Sequence, residues 1–60
     1  MSLEIIVRAR LQDVQNLMWR GRILDAIALA KTAVTLAQQS EDDALLDDCM
    51  GMLADAVAAK

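Results

Sequence analysis

Leu3, Val7, Leu11, Val14, Leu17 and Met18 recur every three or four residues along the start of the chain. That interval matches the turn of an α-helix and predicts one apolar stripe on a helix over about residues 3–20. Arg8, Gln12, Gln15 and Asn16 fall outside the stripe. Gly21 then interrupts the pattern. Glycine is the residue most at ease in the left-handed conformation that closes a helix, so a tight turn is predicted at Arg20-Gly21-Arg22.

A second helix is predicted over about residues 23–39. Ile23, Ala26, Ile27, Ala30, Ala33, Val34 and Ala37 lie along one side of it, and Leu24, Leu29 and Leu36 extend the apolar surface beyond that side. A helix so widely apolar is normally covered by more than one neighbour. Its alanines are small enough to let those neighbours approach closely. Ser40-Glu41-Asp42-Asp43 reads as a helix start, with Ser40 as the expected N-cap and acids in the first turn, where they complement the helix dipole. The third helix is predicted over about residues 41–59, with Leu45, Leu46, Cys49, Met50, Met52, Leu53, Ala56 and Val57 as its apolar positions. Gly51 costs roughly 1 kcal/mol relative to alanine in a helix interior. It shares a face with Ala44, Ala54 and Ala58, which is either a close helix crossing or a weakly packed exterior.

These three segments define the fold class: all-α, three antiparallel helices in one small domain over residues 1–60. Composition agrees, because the 60 residues contain no proline, tyrosine or phenylalanine and only two glycines. A chain this short buries only about 60% of the surface its unfolded form exposes, and it usually needs a disulfide, a metal or a second chain. Cys49 is the sole cysteine and there is no histidine, so neither an internal disulfide nor an ordinary zinc site is available. With 57% of residues apolar, a partner chain is the expected remedy. The expected subunit contact draws on Leu29, Leu36, Leu46, Met50, Leu53 and Val57, divided between the internal core and a homo-oligomer or protein partner. Uncharged runs are too short to span a bilayer and no secretory pattern is evident, so a cytoplasmic protein without membrane attachment is expected.

The net charge of −3 is unevenly placed. Residues 1–22 carry Arg8, Arg10, Arg20 and Arg22 against Glu4 and Asp13, whereas residues 23–60 carry Lys31 and Lys60 against seven acids. A basic first helix is therefore expected beside an acidic third one, within one chain or across a symmetric pair.

The stretch W-R-G-R-I-L-D-A-I-A-L-A-K-T-A-V-T-L, from Trp19 to Leu36, resembles the junction of a tetratricopeptide repeat. Gly21 stands at that repeat's interhelical turn, Ala26 and Ala33 at its small positions and Leu36 at its aliphatic one, with Ile27 following Ala26. The resemblance covers about residues 7–39. It departs from the pattern at Arg10, where a large aromatic is usual, at Ala30, where a bulky side chain is common, and in lacking a closing proline. It implies a helical hairpin followed by a capping helix. The other reading is a plain three-helix unit with similar small-residue spacing.

The resemblance also implies that the inner face of the first helix grips an extended or helical peptide, with Arg8, Gln15, Met18 and Trp19, together with Arg22, as partner-binding residues. Tryptophan and arginine are frequent interface anchors, and methionine adapts to irregular partners. The alternative for Trp19 is a core cap beneath an arginine stem. The acids from Glu41 to Asp48 lack the alternating ligands and loop glycine of a calcium site, so a solvated helix start is expected. Cys49 has no histidine to activate it and reads as an inert buried thiol. No base, phosphate-binding glycine loop or paired acids suggest catalysis, and neither cofactor nor metal is expected. The expected function is a non-enzymatic protein–protein interaction module. The rival is a small oligomeric RNA-binding or regulatory helical protein using Arg8/Arg10 and Arg20/Arg22. The acidic total disfavours nucleic acid.

Overall fold

The computed structural model describes residues 2–60. Among them run three helices: α1 (Leu3–Trp19), α2 (Ile23–Ser40) and α3 (Asp43–Ala59). The Ser2 hydroxyl starts α1 by accepting the Ile5 N–H at 3.3 Å, which satisfies one of the donors that a helix start leaves without a partner. Arg20 closes α1. Beyond it the Gly21 N–H donates to the Met18 carbonyl at 3.0 Å and the Arg22 N–H to the Leu17 carbonyl at 2.9 Å. Those two bonds form the Schellman closure, and it requires the positive φ of 78° found at Gly21.

The second turn differs from its sequence expectation. Ser40 is not the N-cap of α3; it is the last residue of α2. Its hydroxyl donates to the Ala37 carbonyl at 2.6 Å and accepts the Asp42 N–H at 3.3 Å. Glu41 takes the left-handed conformation at φ 60°. Asp42 is the cap, its carboxylate accepting the Leu45 N–H at 3.1 Å. A serine and an aspartate two residues apart offer the same chemistry. The left-handed residue between them assigns one to each helix, so α3 begins at Asp43 rather than at Glu41 or Asp42.

Two clusters build the core and reveal the topology. One joins Val7 and Leu11 of α1, Ala33 and Ala37 of α2, and Leu45 and Cys49 of α3. The other joins Val14, Ala26, Ala30 and Ala56. The early part of α1 thus meets the late part of α2 and the early part of α3, so α2 runs antiparallel to both neighbours and α1 and α3 point the same way. The middle helix is covered from two sides, as its wide apolar surface predicts. It buries only alanines, each 1% exposed or less. With no bulk at those positions, α1 and α3 settle close to the α2 backbone, and Leu45, Val7, Val14 and Cys49 are the largest side chains fully enclosed. The radius of gyration of 10.6 Å matches the ~10 Å of a well-packed chain of this length.

The small-residue face of α3 is an exterior. Ala44, Gly51, Ala54 and Ala58 are all exposed, and a Cβ at Gly51 would meet no heavy atom within 4 Å. No helix among the described residues is long and apolar enough to cross a membrane.

Candidate interaction surfaces

Among the described residues the core holds no polar or charged side chain, so the chemistry this protein offers a ligand lies on its surface. That surface includes an open groove of about 270 Å³ between α1 and α3, lined by Arg8, Leu11, Gln12, Gln15 and Met52. It exists because α1 and α3 both lean on α2 and touch each other little. Leu11 and Met52 give it an apolar floor. Gln12 and Gln15 provide amide donors and acceptors, and Arg8 supplies charge at one end.

Arg8 is the electrostatic link across the groove. Its guanidinium approaches Glu4 of the same helix and Asp48 of α3, each at 3.4 Å. All three side chains are about half exposed, so the pairs orient Arg8 more than they stabilise the fold. This contact places part of the basic first helix against the acidic third one within a single chain. The other two ion pairs among the described residues are local in sequence, Arg10 with Asp13 at 3.8 Å and Arg22 with Asp25 at 2.7 Å.

Trp19 is 72% exposed, which rules out a core cap. Arg8, Gln12, Gln15 and Trp19 follow one another at intervals of four, three and four and so share one face of α1, with Trp19 at the end nearest the Gly21 turn. Leu24, on the other side of that turn, is also exposed at 67%. The other two residues expected to bind a partner lie elsewhere. Met18 is half-buried and packs on the cluster around Val14 and Ala26, which leaves it little free surface. Arg22 precedes α2 and is engaged with Asp25.

Of the six residues expected at a subunit contact, Leu36 and Leu46 pack on the first core cluster and Leu29 and Leu53 on the second, all only partly buried. Met50 and Val57 are 54% and 52% exposed. The internal core takes one edge of this set, and the outer flank of α3 remains uncovered within the chain.

Cys49 is fully enclosed. Burial raises its pKa, the neighbouring Asp48 charge raises it further and Arg8 partly offsets both, so the thiol stays neutral and sheltered. Asp42 and Asp43 serve the start of α3, and among the described residues no group of His, Cys, Asp and Glu is arranged to hold a metal ion.

Sequence reading missed Gln12 and Met52 as groove residues. Gln12 was within reach, since it lies one helical turn from Arg8 on the same face. Met52 was not, because only the packing of α3 against α1 brings it there. Compared with known protein families, curated proteins and solved structures, the chain matches none.

Proposed function

We propose that this protein is a non-enzymatic interaction module, a tetratricopeptide-like hairpin with a capping helix. It binds an extended or helical protein segment along the Arg8–Gln12–Gln15–Trp19 face of α1 and self-associates through the flank of α2 and α3. The observation that carries the reading is Trp19. The chain's only aromatic side chain stands 72% exposed at the end of a face that already contains a groove. A folded domain gains nothing from leaving its largest apolar side chain in water, whereas an interface gains a rigid anchor there. Gln12 and Gln15 can meet a peptide backbone with both donors and acceptors, and Leu11 with Met52 can seat an apolar side chain.

Selection of a random-peptide display library against the purified protein tests the reading. A peptide consensus that binds the native chain and loses at least about tenfold in affinity with Trp19→Ala or Gln15→Ala supports it. Failure to enrich any consensus, or binding indifferent to both substitutions, refutes the groove. A parallel titration with single-stranded and duplex RNA at two salt concentrations tests the rival, which requires binding that collapses as salt rises.

A further inference from the structure

On α3, Asp43, Leu46, Met50, Leu53, Val57 and Lys60 follow one another at intervals of three, four, three, four and three. That is the spacing of a coiled-coil seam, in which alternate positions form the line of contact with a facing helix. The seam is apolar in the middle, with Met50 and Val57 about half exposed and Leu46 and Leu53 only partly covered by the chain's own core. Its two ends carry opposite charges, both exposed.

The spacing is also palindromic. Leu46 with Val57, Met50 with Leu53, and Asp43 with Lys60 are each centred midway between Gly51 and Met52. A helix with such a seam is complementary to a second copy of itself turned end for end about one twofold axis. In that arrangement each layer joins unlike positions, so leucine 46 meets valine 57, methionine 50 meets leucine 53, and aspartate 43 meets lysine 60 of the other copy. In a parallel pairing each layer joins like positions, which sets carboxylate against carboxylate at one end and ammonium against ammonium at the other. Charge complementarity therefore selects the antiparallel orientation, and antiparallel helix dipoles reinforce it. Asp47 and Ala54 border the seam on its outer side. The twofold sets Asp47 of each copy near Ala54 of the other rather than near a like charge.

We infer that the partner for this flank is a second copy of the same chain, docked α3 against α3 in antiparallel register about a twofold axis at Gly51–Met52. The inference rests on the self-association half of the proposed function and specifies its geometry.

Sedimentation velocity over the micromolar range on five chains tests it: the native protein, Met50→Lys, Asp43→Lys, Lys60→Glu, and the last two combined. The native chain should be a dimer and Met50→Lys a monomer. Circular dichroism should show the helical content of Met50→Lys unchanged, since Met50 is half exposed. Asp43→Lys and Lys60→Glu should each weaken association by roughly tenfold, because each alters two symmetry-related end layers at the scale of exposed ion pairs. The combined variant should recover most of the native affinity. Helix-dipole effects alone predict the reverse, with the combined variant worse than either single one. A native chain that stays monomeric at high micromolar concentration overturns both this inference and the self-association reading. A dimer that survives Met50→Lys overturns the α3 interface and leaves self-association standing. A dimer indifferent to the charge reversals, or one not rescued by combining them, overturns the antiparallel register.

Discussion

The two interhelical turns bend the chain with the same backbone conformation and different chemistry. Between α1 and α2 the left-handed residue is Gly21, and two backbone hydrogen bonds to Met18 and Leu17 close the helix. Between α2 and α3 it is Glu41, which has a Cβ to accommodate. There the Ser40 hydroxyl bridges the Ala37 carbonyl and the Asp42 N–H. The start of each following helix shows the same division. Arg22 makes no side-chain cap for α2, whereas the Asp42 carboxylate caps α3. The first turn is thus secured by backbone geometry and the second by side chains. A β-carbon in the left-handed region is unfavourable by about 1–2 kcal/mol, and the neighbouring serine and aspartate offset that cost at the second turn.

The contrast can be broken most sharply at Gly21. No heavy atom lies within 4 Å of the position a Cβ would take there, so a substitution meets only backbone strain. Gly21→Val should lower stability by about 2 kcal/mol, measured by thermal or urea denaturation, and Gly21→Ala by somewhat less. An unchanged melting temperature would show that the closure does not depend on the left-handed conformation.

At the second turn, Asp42→Ala should cost about 1 kcal/mol by removing the cap of α3. A neutral result would return the capping role to Ser40, where sequence reading had placed it. Glu41→Gly should act in the other direction and stabilise by about 0.5–1 kcal/mol, since relief at φ 60° exceeds the added freedom of glycine in the unfolded chain. This gain is specific to the second turn, because the first already has its glycine. The smallest effect is expected at Trp19, which is adjacent to the first turn but takes no part in closing it. Trp19→Ala should change stability by less than about 0.5 kcal/mol, the range of ordinary surface substitutions. A loss near the 3–5 kcal/mol of a buried tryptophan would place that side chain in the core instead.

The sequence alone revealed whatever depends on neighbours within about one helical turn. Three helices, the stripe from Leu3 to Met18, the alanine side of α2, the break at Gly21 and the sheltered place of Cys49 all follow from periodicity and from the conformational freedom of single residues. The second turn lay at the edge of this reach. Ser40 and Asp42 carry the same start signal, and glutamate gives no sign that it will adopt a left-handed backbone. The groove lay beyond it. Arg8 meets Asp48, and Met52 joins Leu11 and Gln15, across forty or so residues of chain, and the choice depends on how closely α1 and α3 settle onto the alanines of α2. Whether Trp19 is covered was likewise open, because an aromatic side chain at a helix end suits a core and an interface equally. Only the packed structure left Trp19 in solvent and turned the small-residue side of α3 outward, since both outcomes depend on where the other helices are not.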